Sequence, residues 1–102
     1  MAAVSFIIPT YNRAAFITRA VESALRQDVG GLDIIVVDDG STDGTRQALA
    51  PYRDRIRYVW QAYGGPAKAR NAGLAASREA YVVFLDSDDA LWPGALQALA
   101  RA

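Results

Sequence analysis

Two short acidic segments carry much of the chemistry that this sequence could perform. Of the 11 acidic residues in the 102-residue chain, three lie in segment 38–43 (DDGSTD) and three in segment 86–89 (DSDD). Each segment follows an apolar run typical of a buried strand, Ile34–Val37 and Tyr81–Leu85 respectively. Carboxylates at strand ends can bind a divalent cation, accept hydrogen bonds from a ligand or cap a following helix.

The second acidic segment contains a D-x-D tripeptide, Asp86-Ser87-Asp88. Two carboxylates one residue apart in a tight turn can both face one divalent cation. Carboxylate ligands favour Mg²⁺ or Mn²⁺, which usually keep several waters and take substrate phosphates as further ligands. Acidic turns after strands are also common, so the tripeptide by itself leaves a purely structural role open.

Several other side chains each have a structural and a functional interpretation. Asp38 and Asp39 either cap the next helix or accept an N–H from a nucleobase. Tyr11 either covers a helix start or stacks against a base or ribose. Lys68 and Arg70 lie near the start of a predicted helix, where they form a solvated face or contact a base carbonyl or a phosphate.

The composition excludes several classes of site. The chain has no His and no Cys, which rules out Ser-His-Asp and Cys-His nucleophiles, zinc sites built on thiolate or imidazole, and disulfides. Its 11 basic residues balance its 11 acidic ones, which argues against a broad nucleic-acid or anionic-membrane surface. The glycine-rich dinucleotide and P-loop motifs do not occur. No apolar run approaches the roughly 20 residues of a membrane span, and no basic signal-peptide region opens the chain, so we expect a cytoplasmic protein.

Alternating strands and helices must position these side chains. Strands are predicted at Val4–Ile8, with Pro9 ending the run, and at Ile34–Val37, Ile56–Trp60 and Tyr81–Leu85. Helices are predicted over 14–27, over 42–50 with a Ser41 or Thr42 cap, over 66–77, and from Pro93 onwards. This β-α-β-α-β-α-β-α order predicts an α/β fold, an open and mainly parallel sheet with helices on both faces.

The order of the strands predicts where a ligand binds. If the first three strands wind in one direction and the fourth crosses back beside the first, the strand order is 3-2-1-4. Ligands of open α/β sheets bind beyond the carboxyl ends of the strands at such a reversal. The segments that arrive there are 9–13, 38–41 and 86–89. The segments richest in functional side chains therefore share one rim of the sheet.

Four motifs, in this order, resemble those of family 2 glycosyltransferases. They are PTYNR at 9–13, IVVDDGSTDGT at 35–45, GGPAKARNAG at 64–73 and FLDSDD at 84–89. The resemblance covers the chain from Val4 to about Leu96. It implies a GT-A fold, of which this region is the Rossmann-like, nucleotide-binding half.

The resemblance also implies roles for individual residues. Thr10 and Tyr11 would border the nucleoside, and Asp39 would accept the base N–H while Arg70 approaches a base carbonyl. Asp86 would contact ribose or help to bind the metal, and Asp88 would ligate a Mn²⁺ or Mg²⁺ that bridges the diphosphate. The candidate substrate-binding residues are Pro9, Thr10, Tyr11, Arg13, Asp39, Lys68, Arg70 and Asp86, and the candidate metal ligands are Asp86 and Asp88.

The implied activity is metal-dependent binding of a nucleoside-diphosphate sugar and its transfer to an acceptor hydroxyl with inversion. A UDP-sugar is favoured because the pair Asp39 and Arg70 would suit uracil; the acceptor is a saccharide or a lipid. In the family the carboxylate base lies downstream of the D-x-D, in an acceptor half that these 102 residues do not contain. We therefore expect residues 1–102 to form a single donor-binding domain, truncated relative to a full GT-A domain and inactive alone.

Two other functions remain open. One is a non-catalytic nucleotide-binding or assembly module, since the acceptor half is missing. The other is a phosphoacceptor domain of the receiver type. Asp38-Asp39 resembles the acidic pair of such domains, although their pair follows the first strand and Asp38-Asp39 follows the second. The apolar strand Tyr81–Leu85, left as an unpaired edge, predicts a homo-oligomer. The family resemblance further implies membrane association through segments outside this chain.

Overall fold

A computed structural model describes residues 4–27, 32–78 and 81–87. The predicted helix from Pro93, and the predicted metal ligand Asp88, lie outside these residues. The elements are β1 (Val4–Thr10), α1 (Ala14–Leu25), β2 (Leu32–Asp39), α2 (Thr45–Ala48), a 3₁₀ turn (Ala50–Tyr52), β3 (Arg57–Gln61), α3 (Pro66–Ala76) and β4 (Tyr81–Phe84).

The strands form one parallel sheet in the order β3-β2-β1-β4. In the central strand β1, Ile7 pairs with Ile35 of β2 on one side and with Phe84 of β4 on the other. This confirms the α/β fold and the predicted order 3-2-1-4. The chain reverses between β1 and β4, so the carboxyl ends of these strands flank a crevice.

Helices cover both faces of the sheet, which is why β1 and β2 are apolar almost throughout. On one face, Phe6 and Val36 join α1 in the larger apolar cluster. On the other face, Ile7 and Ile35 pack against α3. This second contact is so close that a Cβ at Gly73 would come within 2.3 Å of the Ile7 side chain. The tight packing fixes the start of α3 relative to the carboxyl ends of the strands.

Pro9 lies inside β1 instead of ending it. The carbonyl of Ile7 accepts the N–H of Leu85 at 3.0 Å, so the backbone of Ile7 faces β4. Residues two apart in a strand have the same orientation, and Pro9 therefore also faces β4. The pairing with β4 ends at Ile7 and Phe84. The missing N–H of proline consequently falls where no ladder hydrogen bond is needed.

The second helix is shorter than predicted. Helix α2 has four residues and is followed by the 3₁₀ turn, in which Pro51 occupies an early position. The predicted caps Ser41 and Thr42 are wrong, because the residue at the N-cap of α2 is Gly44, which has no side chain to cap the helix. Asp43, one residue earlier, accepts the N–H of Thr45 at 3.0 Å, and α2 begins at Thr45, three residues later than the predicted Thr42.

Strand β4 is the edge of the sheet within the described part of the chain. Its Tyr81 and Phe84 side chains are exposed. The self-association predicted from this edge stays a prediction. Of the helices formed by residues 4–27, 32–78 and 81–87, none is long and apolar enough to cross a membrane.

Candidate functional site

A cavity of about 300 Å³ lies at the carboxyl ends of β1, β2 and β4, beside the start of α3. Of the eight predicted substrate-binding residues, the structure places seven on its wall: Pro9, Thr10, Tyr11, Arg13, Asp39, Arg70 and Asp86. The eighth, Lys68, does not line the cavity. Its side chain packs against Gly64 in the β3–α3 loop, where a Cβ on Gly64 would lie 2.2 Å from Lys68 Cδ. The tertiary structure thus assembles residues from segments that are far apart in the chain.

Asp39 is the most firmly held carboxylate of this cavity. It is the last residue of β2 and is only 3% exposed. One carboxylate oxygen, Oδ1, accepts the side-chain amide of Gln61 at 2.9 Å and the N–H of Gly64 at 2.8 Å. The other, Oδ2, accepts the N–H of Gly65 at 2.9 Å. A carboxylate has about four acceptor positions, so one position on Oδ2 remains for a ligand.

The charge state of Asp39 follows from these contacts. Burial by itself raises the pKa of Asp39, but the three hydrogen bonds and the nearby charge of Lys68 outweigh burial, and the net pKa lies below its ordinary value. Asp39 is therefore an anion at neutral pH. An ionised carboxylate only accepts hydrogen bonds, so a ligand group that meets Oδ2 must be a donor.

Thr10 carries a buried hydroxyl on the face of the sheet opposite to Asp39, since Thr10 is in register with Asp38. The residue ends β1 and is 3% exposed, yet its Oγ1 has no hydrogen-bond partner among the residues that the structure describes. Leaving a buried polar group unpaired costs about 1–3 kcal/mol. Oγ1 is itself buried, so Thr10 lines the cavity through its other atoms.

The loop after β1 is fixed by the loop after β2. Asn12 adopts a positive φ of 50°, and its side-chain oxygen accepts the N–H of Thr42 at 2.8 Å. The N–H of Asn12 donates to Ser41 Oγ at 2.9 Å. Asp43 accepts the N–H of Ala14, the first residue of α1, at 3.1 Å. Since Tyr11 and Arg13 flank Asn12, this network sets where their side chains enter the cavity.

Asp38 does not reach the cavity. Side chains alternate along a strand, so Asp38 lies on the face opposite to Asp39. Its carboxylate accepts the N–H of Ser41 at 2.9 Å and the hydroxyl of Tyr58, and it is 1% exposed. Neither acidic residue caps α2, so the helix-capping interpretation of the pair is wrong: Asp38 stabilises the loop that precedes α2, and Asp39 holds the β3–α3 loop.

The positive charges of the cavity come from Arg13 and Arg70. Both are exposed, and neither forms an ion pair with another residue in the described ranges. Arg70 lies in the second turn of α3, whose position is fixed by the contact of Gly73 with β1. Uncommitted guanidinium groups at a cavity wall are suited to bind phosphate or a carbonyl oxygen.

The metal site is only partly within the described residues. Asp86 lines the cavity, is exposed, and accepts no hydrogen bond from the described part of the chain. The described residues contain no group of three acidic side chains that could by itself hold a metal ion. Mg²⁺ and its analogues are commonly bound through one or two carboxylates together with substrate phosphates. Asp86 fits that arrangement, and the contribution of Asp88 stays a prediction.

Sequence reasoning missed Tyr63. This residue lies in the β3–α3 loop, lines the cavity, and its ring centroid is 4.8 Å from that of Tyr11, with the two ring planes at 55°. The loop matched no regular pattern, so nothing local marked Tyr63 as functional. An available signal was its place directly before Gly64-Gly65-Pro66, where a tight turn starts α3.

Comparison with known proteins gives a consistent result. The sequence model described as Glycosyl transferase family 2 matches residues 5–102. An uncharacterized glycosyltransferase of the cyanobacterium Nostoc is 40% identical over 100 residues, which is 94% of this chain and 31% of that protein. The chain spans between 14% and 31% of the length of the curated relatives compared with it.

Two solved structures are similar over nearly the whole chain. The crystal structure of S. aureus TarS 1-349 in complex with UDP-GlcNAc has a TM-score of 0.88 and 36% identity, and the match covers 96% of this chain and 30% of that one. The mannosyltransferase PcManGT of Pyrobaculum calidifontis, in complex with GDP-Man and Mn²⁺, has a TM-score of 0.80 and 34% identity, over 90% of this chain and 29% of that one.

Proposed function

The chain belongs to glycosyl transferase family 2, and from that premise we propose that it is the donor-binding region of a glycosyltransferase that binds a nucleoside-diphosphate sugar between β1, β2 and β4. One observation carries the proposal: a single cavity collects the anionic Asp39, the aromatic Tyr11, the basic Arg13 and Arg70, and the carboxylate of Asp86. These groups match the base, ribose and diphosphate of such a donor.

The hydrogen bonds of Asp39 select among nucleobases. The remaining acceptor position on Oδ2 suits a base that presents an N–H on its pairing edge, as uracil, thymine and guanine do. Cytosine and adenine present a ring nitrogen acceptor at the equivalent place and would be repelled by the carboxylate. Arg70, which lines the same cavity, would donate to a base carbonyl. UDP-sugars are the favoured donors, a preference supported by the UDP-GlcNAc complex of the similar TarS.

The diphosphate end of the proposed site holds Arg13 and Asp86. Asp86, with Asp88 beyond the described residues, would hold Mn²⁺ or Mg²⁺, a proposal supported by the Mn²⁺ complex of the similar mannosyltransferase. The ion would supply positive charge to the leaving diphosphate. Arg13 adds a fixed guanidinium charge on the same wall, where it stabilises the negative charge that develops.

Transfer with inversion completes the proposal. The acceptor hydroxyl forms a bond to the anomeric carbon from the face opposite to the diphosphate, the bond to the diphosphate oxygen breaks, and the hydroxyl proton passes to a carboxylate. Asp39 does not fit that base role, because its pKa is lowered and three donors hold its oxygens. Asp86 is assigned to ribose and metal, and we place the base outside the described residues.

The structure argues against the receiver-type alternative. A phosphoacceptor site needs its carboxylates together, whereas Asp38 and Asp39 lie on opposite faces of β2. The non-catalytic nucleotide-binding module shares the same cavity and differs only in turnover. Transfer or slow hydrolysis of a donor sugar, measured by release of UDP, distinguishes the glycosyltransferase from that module.

Calorimetric titration of the protein tests the proposed site. UDP, dTDP and GDP are each expected to bind at least about tenfold more tightly than CDP and ADP, since a hydrogen bond to a charged group contributes about 1.5–3 kcal/mol. Mn²⁺ is expected to strengthen UDP binding, and Asp86→Ala and Asp88→Ala are each expected to reduce that gain. Asp54→Ala is the matched control, because Asp54 is an exposed carboxylate that does not line the cavity. A folded protein that binds none of the nucleotides contradicts the proposal.

A further inference from the structure

The β3–α3 loop, residues 62–65, places an exposed aromatic ring at the mouth of the cavity. Tyr63 is 64% exposed and Tyr11 is 44% exposed, although their rings are in contact. The remaining exposed ring surface of both residues borders the cavity that contains Asp39. Aromatic surface beside a hydrogen-bonding carboxylate is the combination that binds a planar, polar heterocycle.

The position of Tyr63 is set by the end of β2. The two residues that follow Tyr63, Gly64 and Gly65, donate their N–H groups to Asp39. Gly40, with φ of +79°, lies directly against the backbone of Tyr63, where a Cβ would come within 2.8 Å of the Tyr63 nitrogen. Asp39 and Gly40 together therefore hold the loop that carries Tyr63, and the carboxylate that would bind the base also orients this ring.

The geometry of the two rings restricts how a base can bind. A base sandwiched between them would need about 7 Å, twice the roughly 3.5 Å van der Waals contact of stacked carbon atoms. Their centroids are 4.8 Å apart and the planes are tilted by 55°, so no base fits between the rings. The two tilted rings instead meet at an angle. A base that stacks its face on one ring can contact the other ring with its edge.

We propose that Tyr63 is a nucleobase-binding residue of the donor site, the second aromatic side chain that, with Tyr11, contacts the base. This inference rests on the proposed function and deepens it. Tyr63 contributes to affinity for the base and not for the phosphates, because it lies beside Asp39 and carries no charge. Its hydroxyl is not required, since stacking uses the ring.

Titration of Tyr63 variants with two probes tests the inference. Tyr63→Ala is expected to weaken UDP binding about tenfold, within the range measured for base–aromatic stacking, and to leave the affinity for Mn²⁺-pyrophosphate unchanged. Tyr63→Phe is expected to bind UDP as the wild type does. Tyr63→Leu keeps apolar bulk without a π-face and is expected to behave like Tyr63→Ala. The matched control is Trp60→Ala, since Trp60 is 56% exposed and does not line this cavity.

The outcomes separate this inference from the proposed function. If the wild type binds UDP and Tyr63→Ala binds it equally well, the inference is overturned and the proposed function stands. If Tyr63→Ala weakens UDP and pyrophosphate equally, the residue only maintains the loop, which also overturns the inference. A folded wild type that binds no nucleoside diphosphate overturns both. Thermal unfolding of each variant shows whether the loop substitution has disturbed the fold.

Discussion

Strand β2 carries a half-buried carboxylate near its amino end and a buried one at its carboxyl end, and the two have different hydrogen-bond donors around them. Asp33 lies near the amino end and Asp39 at the carboxyl end. Both odd-numbered positions lie on the face that packs against α3, as Ile35 and Val37 do. Residue type, strand and face are therefore the same, and only the donors around the two carboxylates differ.

At the amino end, the carboxylate is neutralised. Arg57 donates two hydrogen bonds to Asp33, at 2.9 and 2.7 Å, and Ser5 donates one at 2.7 Å. The same guanidinium donates to the carbonyl of Ala76 at 2.6 Å, which ties β1, β2, β3 and the end of α3 together. Asp33 also accepts the N–H of Arg78 at 3.3 Å. Its acceptor positions and its charge are used within the protein, which makes this end structural.

At the carboxyl end, the carboxylate is held without being neutralised by an ion pair. Its three donors are one amide side chain and two backbone N–H groups, all uncharged. Asp39 lines the cavity and keeps its negative charge and one acceptor position. The comparison teaches that neutral donors can fix a carboxylate without using up its charge, as the proposed binding role of Asp39 requires, whereas a guanidinium that saturates a carboxylate leaves it a structural role.

The largest expected effects come from exchanging the two carboxylates for amides. Asp39→Asn is expected to weaken UDP binding between about tenfold and a hundredfold, because an amide NH₂ meets the base N–H where a carboxylate oxygen accepted it. The same variant is expected to reduce the difference between its affinity for UDP and its affinity for CDP. Asp33→Asn is expected to lower the free energy of unfolding by about 2 kcal/mol and to leave UDP affinity unchanged. Calorimetry and urea unfolding measure the two quantities.

The two variants also control each other. Equal losses of UDP affinity in Asp39→Asn and Asp33→Asn would mean that both ends of β2 act only through stability, and the contrast between them would be lost.

An intermediate effect is expected at the glycine beside Asp39. Gly40→Ala places a Cβ at a positive φ and within 2.8 Å of the Tyr63 nitrogen, so the β3–α3 loop must shift. We expect a loss of about 1–2 kcal/mol in the free energy of unfolding and severalfold weaker UDP binding. Gly44→Ala is the matched control, since a Cβ there meets nothing within 4 Å and its φ is −81°. Gly40→Ala variants that bind and unfold like the Gly44→Ala variants would show that the loop is not held through Gly40.

The smallest effect is expected from acid. The pKa of Asp33 and of Asp39 is lowered in the folded protein, in both cases because hydrogen bonds and a neighbouring positive charge outweigh burial, which by itself raises it. Their contribution to stability is therefore complete above the unfolded pKa of about 3.9 and is lost as the pH falls through the lower folded values. Urea unfolding between pH 7 and pH 3 should show stability falling only below about pH 4. In Asp33→Asn, the free energy of unfolding should decrease less below pH 4 than in the wild type. A free energy of unfolding that increases on acidification would contradict the lowered pKa values of Asp33 and Asp39.

Much of the fold is readable from local patterns. The apolar runs of β1 and β2 are continuous because helices cover both faces, and such runs predict buried parallel strands. The order 3-2-1-4 follows if the fourth strand crosses back beside the first, and the structure has this order. The motif at 9–13 and the acidic segments 38–43 and 86–89 follow strands, so the sequence also predicts that they meet at one rim of the sheet. Residue type and spacing are sufficient for these predictions, because whether a segment is buried and which residues follow a strand are visible in short stretches of the chain.

The tertiary structure decided which of the chemically capable side chains face the cavity. Asp38 lies on the face opposite to Asp39, Asp43 accepts the N–H of Thr45, Asp33 pairs with Arg57, and Tyr63 contacts Tyr11. Tyr63 and Tyr11 lie 52 positions apart in the chain, and Arg57 and Asp33 lie 24 apart. Contacts over such separations depend on how strands and loops pack, since local residue patterns specify which face is buried but not which distant group will meet it.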